Sequence, residues 1–163
     1  MATSAVYAGS FDPPTSGHVW MIQQGAALFD RLVVAVGVNP SKRSAYDLPT
    51  RLRWLKTISA QWPNVEVADF GNLYLADYAK RVGTGHILRG IRSEVDFAYE
   101  QTMRHINADL NPGLTTVFLM PPREIAEVSS SLVRGLIGPE GWQPVVQRYV
   151  PTAVFDDLVK HHA

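Results

Sequence analysis

Residues 9–18 read Gly-Ser-Phe-Asp-Pro-Pro-Thr-Ser-Gly-His, a turn rich in glycine and hydroxyl groups that ends in an imidazole. An apolar run of strand length, residues 5–8, precedes it, and a helical stretch over 19–29 follows. A turn that opens a helix presents backbone N–H groups with no helical carbonyl partner, and these favour an anion. Gly9 and Gly17 let the backbone approach a ligand or take positive φ. His18 falls in the first helical turn, aimed at whatever the N–H groups hold, and a phosphate is the expected occupant. The spacing is not Gly-x-Gly-x-x-Gly, and no Gly-Lys-Ser/Thr follows, so neither a dinucleotide fingerprint nor a P-loop is present.

Three other clusters carry groups suited to phosphate. Lys42 sits in a loop, Asn39-Pro40-Ser41-Lys42-Arg43-Ser44, and is a flexible point charge suited to a phosphate monoester. Arg89-Gly90-Ile91-Arg92 places two guanidinium forks at a strand end. Ser129-Ser130-Ser131 opens a helix with hydroxyl donors and unpaired N–H groups. Taken one at a time, each has an ordinary explanation as a solvated loop cation or a helix N-cap. Glu100, on a helix beyond Arg92, reads unaided as a surface residue.

The elements that must position these groups alternate between strand and helix. Apolar runs at 5–8, 31–38, 65–67, 86–88 and 115–120 read as five strands, the second nearly continuous as in a strand covered on both faces. Helices are expected over 19–29, 47–60 with Asp47 as N-cap, 74–82 closed by Gly83 and Gly85, and 93–109 capped by Ser93. Two more are expected to start near Ser129 and Pro151. This alternation predicts an α/β, doubly wound, parallel five-stranded sheet of Rossmann-like type with right-handed crossovers, as one domain over 1–163. In such sheets ligands bind beyond the carboxyl ends of the strands at the topological switch point. The decapeptide, Lys42, Arg89 with Arg92, and the serines all follow strands on that side, so they are expected to converge on one cleft.

The 163-residue chain is long enough for a sizeable core, with 46% hydrophobic and 18% charged residues. Fifteen basic and fifteen acidic residues balance, so bulk charge gives no case for nucleic acid or an anionic membrane as partner. There is no cysteine, which excludes disulfides, thiolate metal sites and cysteine nucleophiles. No signal peptide or membrane span is evident, and a soluble cytoplasmic protein is expected. No dedicated carboxylate cage for a metal is visible, and His161 and His162 read as tail residues.

Thr15-Ser16-Gly17-His18 resembles the Thr/His-x-Gly-His signature of nucleotidyltransferases that join a nucleoside monophosphate to a phosphate monoester. The longer Gly-Ser-Phe-Asp-Pro-x-Thr-x-Gly-His is similar to bacterial phosphopantetheine adenylyltransferases. Relatives acting on nicotinate mononucleotide or glycerol phosphate usually carry His where Thr15 stands. Pro40-Ser41-Lys42, Arg89-Gly90-Ile91-Arg92, Asp96-Phe97-Ala98-Tyr99-Glu100 and the stretch from Val128 through the serines to Arg134 match that family's motifs in order.

The resemblance implies transfer of an adenylyl group from ATP to 4′-phosphopantetheine, giving dephospho-coenzyme A and pyrophosphate. It implies catalytic roles for His18, Ser10, Lys42 and Arg92. ATP contacts would come from Ser10, Phe11, Gly17 and His18, from Gly90, Ile91, Arg92 and Glu100, and from Ile125, Ala126, Glu127, Val128, Ser129, Ser130 and Ser131. The acceptor would meet Ser10, Lys42, Leu75 and Arg89. Magnesium would bridge the nucleotide phosphates with few protein ligands, and the protein would be a homo-oligomer, a hexamer in that family. Glu127 is expected to face solvent or a cation such as Arg123, since a bare carboxylate would repel a triphosphate. A sister enzyme with another phosphate-monoester acceptor, or a nucleotide- or coenzyme A-binding sensor without turnover, are the alternative readings.

Overall fold

The computed structural model describes residues 2–38, 41 and 43–162, so Lys42 lies outside the described residues. Five parallel strands, β1 (Ser4–Gly9), β2 (Arg31–Val36), β3 (Val65–Asp69), β4 (His86–Gly90) and β5 (Thr115–Leu119), form one sheet in the order β3-β2-β1-β4-β5. Between them run α1 (Ser16–Leu28), α2 (Leu48–Ser59), α3 (Leu75–Arg81) and α4 (Glu94–Leu110). After β5 come α5 (Arg123–Ala126), α6 (Ser130–Leu136), α7 (Gln143–Val146) and α8 (Thr152–His161). The expected five-stranded parallel α/β sheet is observed. The sequence does not announce α5 or α7, because a four-residue turn shows no 3.6-residue periodicity. Asp47 and Ser93 cap α2 and α4 as expected, accepting from the N–H groups of Thr50 and Asp96.

The strand period of two sorts the central strands between the two faces of the sheet. Ala5, Tyr7, Leu32, Val34 and Val36 pack with α1 and α2, while Val6, Ala8, Val33 and Ala35 pack with α3. A third cluster joins α2 to the C-terminal helices through Trp54, Val133, Trp142, Val146, Val154 and Leu158. There Trp54 Nε1 and Arg53 Nη1 each donate to Asp157 Oδ2 at 2.7 Å. The Ser16 N–H donates to the Tyr149 carbonyl at 2.8 Å, which ties the start of α1 to the same C-terminal unit.

α1 lies close on the sheet because residue 25 lacks a side chain. A Cβ at Gly25 would stand 2.8 Å from Leu32 Cδ2 and 2.9 Å from Leu88 Cδ2. Gly25→Ala adds roughly 0.5–1 kcal/mol of helix preference. It also forces a methyl group against two fully buried leucines, an overpacking cost of roughly 1–3 kcal/mol. The cost wins, so the urea midpoint of Gly25→Ala is expected to fall. A midpoint at or above that of the parent chain would show that α1 lifts freely from the sheet.

Candidate active site

The strand order reverses between β1 and β4, where the chain leaves β1 toward β2 and later crosses back to β4. A cleft of about 360 Å³ lies there, at the carboxyl ends of both strands. Ser10 lines it from the β1–α1 turn, Gly17 and His18 from the first turn of α1, and Arg89, Gly90 and Arg92 from the end of β4 and the residues after it. Glu100 of α4 joins them, as do Ile125, Val128, Ser129 and Ser130. The expected convergence therefore holds for these residues. Phe11, Ile91, Ala126, Glu127 and Ser131 do not line the cleft.

His18 is held by its own turn. Its Nδ1 accepts from the Thr15 N–H at 2.9 Å, and Thr15 Oγ1 lies 3.1 Å from the same nitrogen. An accepting ring nitrogen carries no proton, so this bond assigns the proton of the neutral ring to Nε2. Nε2–H is the donor that His18 has left to offer. Burial pushes the ring's pKa down from 6.5 to about 4, with the nearby Arg92 charge acting in the same direction. The ring of Phe11 packs on His18 with centroids 5.0 Å apart.

The glycines act differently from expectation. Neither Gly9 nor Gly17 has positive φ; the residue that does is Phe11, at φ 48°. Phe11 is fully buried, and its ring would lie 3.1 Å from a Cβ at Gly9. Gly9 therefore makes room for a neighbouring side chain rather than for a ligand. A Cβ at Gly17 would meet the Val128 carbonyl at 3.4 Å, an ordinary contact, so close packing does not require glycine there. The N–H groups at the start of α1 are also less available than expected, since Ser16 donates to the Tyr149 carbonyl and Thr15 to His18 Nδ1.

Arg89 and Arg92 have different neighbours. Arg89 Nε donates to both Glu100 carboxylate oxygens at 2.9 Å, its Nη2 donates to Oε1, and its Nη1 donates to the Ala8 carbonyl at 2.8 Å. Burial opposes the charge of Arg89, but the hydrogen bonds and charge of Glu100 outweigh it, and the guanidinium pKa is raised. Glu100 is thus buried in the wall of the cleft, which corrects the surface reading. Arg92 is exposed and pairs with Asp96 at 2.9 Å; that hydrogen bond raises its pKa, burial opposes, and the Asp96 and Glu127 charges add to the rise. A second cavity of about 180 Å³ adjoins the first, sharing Arg89 and Glu100 with it and lined also by Leu75 and Phe70.

The three serines divide their work. Ser129 Oγ accepts from the Leu132 N–H at 3.1 Å, which leaves its hydroxyl proton to donate. Ser130 Oγ donates to the Pro13 carbonyl at 2.8 Å, so its hydroxyl proton is not available to an anion. Ser131 Oγ accepts from Arg134 Nη2 at 3.2 Å. Among the described residues no carbonyl takes the Ser130 or Ser131 N–H, so α6 offers backbone donors. Glu127 is exposed, and its charge is felt by Arg92. The exposed side chain meets the expectation of a solvent-facing carboxylate.

Two residues that support the site were missed in the sequence. Arg51, almost fully buried, donates to the Ser10 carbonyl at 2.8 Å. Asp12, also buried, accepts from two backbone N–H groups of the β2–α2 connection. A charged residue at a position that must be buried is the only signal available, and it needs the helix boundaries first. Among the described residues no cluster of three or more His, Asp or Glu side chains could hold a metal, and no helix is long and apolar enough to cross a membrane.

A family model for cytidylyltransferase-like proteins matches residues 6–136. The fold and the site thus define a nucleotidyltransferase of the cytidylyltransferase-like class. A solved Plasmodium falciparum nicotinic acid mononucleotide adenylyltransferase, complexed with NaAD, shares the fold at a TM-score of 0.77 and 14% identity, over 99% of this chain and 96% of that one. Phosphopantetheine adenylyltransferase from Neisseria meningitidis serogroup C is 56% identical over 158 residues, 97% of this chain and 93% of the relative. The same enzyme from Chromobacterium violaceum is 49% identical over 159 residues, 98% and 97% of the two chains. The chain belongs to the phosphopantetheine adenylyltransferase family.

The state of His18 is directly measurable. The unfolded ring titrates near 6.5 and the folded ring near 4, so in that window the unfolded chain takes up a proton that the folded chain refuses. The contribution to stability is full above pH 6.5 and declines as pH falls toward 4. Nitrogen-15 NMR of the imidazole is expected to show the Nε2–H tautomer at neutral pH and a midpoint near 4. A midpoint between 6 and 7, or an Nδ1–H tautomer, would mean that the Thr15 bond does not hold the ring.

Proposed function

We propose that this protein transfers the adenylyl group of ATP to the phosphate of 4′-phosphopantetheine, giving dephospho-coenzyme A and pyrophosphate. An oxygen of the acceptor phosphate attacks the α-phosphorus in line. The bond from that phosphorus to the bridging oxygen breaks, and pyrophosphate leaves with its electron pair. The nucleophile is already an anion, so the protein's tasks are alignment and stabilisation of charge. The observation that carries this reading is the meeting in one cleft of a neutral Nε2–H donor on His18, the guanidinium of Arg92 and the serine turn of α6. The names of the relatives supply the acceptor.

In this reading His18 donates to the α-phosphate, and the bond strengthens as charge grows there. Arg92 and Glu100, with the main chain at Gly90 and Ile91, face the nucleotide. Ser129 contributes its hydroxyl and Ser130 and Ser131 their N–H groups to the β- and γ-phosphates. The 125–128 segment, Ile125 to Val128, borders the nucleotide, with Gly17 beneath it. Ser10 and the Phe11 N–H lie between the two substrates. Lys42 and Arg89 meet the acceptor phosphate, and Leu75 meets the pantetheine arm in the adjoining cavity. Because Arg89 and Glu100 are one ion pair, the acceptor and nucleotide sides share a wall. Magnesium would enter with the nucleotide: the cleft-side carboxylates of Glu100 and Asp96 are taken by arginines, which fits an ion held by phosphates and water.

One experiment tests this reading. Pyrophosphate release is measured with ATP or CTP against a panel of phosphate monoesters, with magnesium or with a chelator. Turnover is expected with ATP and 4′-phosphopantetheine and loss of turnover in chelator. His18→Ala is expected to lower kcat by roughly 10²–10³, with a much smaller effect on ATP affinity. Preference for another acceptor would point to a sister enzyme, and ligand binding without pyrophosphate release to a sensor.

The reading extends to assembly. α4 buries Glu100 and Asn107 and leaves Val95, Tyr99, Ile106 and Leu110, which share one face at helical spacing, exposed, an inverted pattern for a helix on a monomer surface. We infer that a second copy covers this face in a homo-oligomer, a hexamer by family resemblance. Sedimentation velocity is expected to show an oligomer, and Tyr99→Glu with Ile106→Glu to shift it toward monomer. A monomeric parent chain would refute the assignment.

A further inference from the structure

Asp12 belongs to the turn of the cleft but does not line it. Its carboxylate is turned away and buried, about 9% exposed. Oδ2 accepts from the Ala45 N–H at 2.8 Å, and Oδ1 accepts from the Tyr46 N–H at 2.9 Å. The Asp12 carbonyl accepts from Arg134 Nη1, and the carbonyl of the next residue, Pro13, accepts from Ser130 Oγ at 2.8 Å. Two consecutive residues therefore join three segments: the β1–α1 turn, the connection between β2 and α2, and α6. These are the segments that carry His18, Lys42 and the serines.

The arrangement both satisfies a buried carboxylate and fixes the path of a connection. Burying a carboxylate costs several kcal/mol unless it is well hydrogen-bonded. Both donors, the N–H groups of Ala45 and Tyr46, meet the carboxylate in a part-buried setting. The 43–47 segment has no helix or strand to fix its path before Asp47 caps α2. What the two bonds achieve is to fix that path against the turn that holds His18. A carboxylate accepting two adjacent backbone N–H groups sets both position and orientation.

We propose that Asp12 is a positioning residue for the acceptor: it docks the 43–47 segment, which directly follows Lys42 in the sequence, on the β1–α1 turn. This rests on the reading that Lys42 meets the acceptor phosphate. Asp12 touches neither substrate and acts through the main chain of Ala45 and Tyr46. Oδ2 also lies 3.9 Å from Arg134 Nη1 of α6, so the ATP KM reports whether that contact, rather than the clamp on Ala45 and Tyr46, carries the effect.

The test compares KM for 4′-phosphopantetheine with KM for ATP in four variants of the full chain. Asp12→Asn keeps the volume but turns an NH₂ toward one of the two N–H donors. Ala45→Pro removes one donor from the opposite side, at an exposed residue. Each is expected to raise the acceptor KM roughly tenfold to a hundredfold, the range for losing a hydrogen bond to a charged group, with the ATP KM within about threefold. The double variant is expected to be no worse than about the larger single effect, because both break one clamp. Lys42→Ala gives the reference effect on the acceptor. If Lys42→Ala raises the acceptor KM but Asp12→Asn and Ala45→Pro do not, or if they raise both KM values alike, the positioning role is overturned and the reading of Lys42 stands. If Lys42→Ala leaves the acceptor KM unchanged, the reading fails and the proposal with it. Should Asp12→Asn not fold, Ala45→Pro decides alone by the same split.

Discussion

Phe11 holds a backbone conformation that costs a non-glycine residue about 1–2 kcal/mol. Its ring is fully buried, edge-on to Tyr7 at 5.5 Å and to His18 at 5.0 Å. Burying a phenylalanine side chain contributes about 1.5–3 kcal/mol, and each aromatic edge contact roughly 0.5–1.5 more. Burial exceeds strain, so the β1–α1 turn keeps one shape. The cleft is built outward from it. Gly9 is bare so that the ring can lie over it, the imidazole stands against the ring, and the Ser10 carbonyl is pinned from behind by Arg51. Loss of the Phe11 ring would free each of these at once.

The two arginines of the 89–92 segment show how one tetrapeptide supplies both a buried, locked charge and an exposed one. Arg89 is locked by four hydrogen bonds to Glu100 and Ala8, and Glu100 is about 8% exposed. Breaking a buried pair of this kind leaves an unpaired charge and is costly, so Arg89 serves as a wall. Arg92 pairs with Asp96 at the surface, where such bridges contribute only about 0–1 kcal/mol. A phosphate can therefore compete for Arg92 at little expense. The chain's formal charge of zero hides this local arrangement.

The order of strands and helices is legible because it rests on short-range patterns: apolar runs for β1, β2 and β4, and Asp47 and Ser93 as caps. The placement of His18 in a first helical turn is legible for the same reason. What the sequence conceals are contacts between distant residues. Ser130 reads as a phosphate donor until its hydroxyl is seen on Pro13, 117 positions away. Glu100 reads as surface until Arg89 is found beneath it. Gly9 has the same composition signal whether it admits a ligand or a phenylalanine. Asp12 and Arg51 carry no local signature, since the groups they hold are main-chain atoms of other segments.

A neutral histidine beside an arginine in a phosphate cleft needs a physical cause, because a bound polyanion would pull its pKa upward. Burial and the Arg92 charge lower it in the free protein, but phosphates would offset the second of these. The Thr15 N–H is the part that phosphate cannot remove. Protonating Nδ1 would break the 2.9 Å bond and set two N–H groups face to face. The ring therefore remains a donor through Nε2 without becoming a cation. A neutral donor attracts the ground-state triphosphate less than an imidazolium would, and its hydrogen bond gains strength as negative charge builds on the phosphorus oxygens. In the proposed transfer that difference, rather than tight binding of ATP, is what raises the rate.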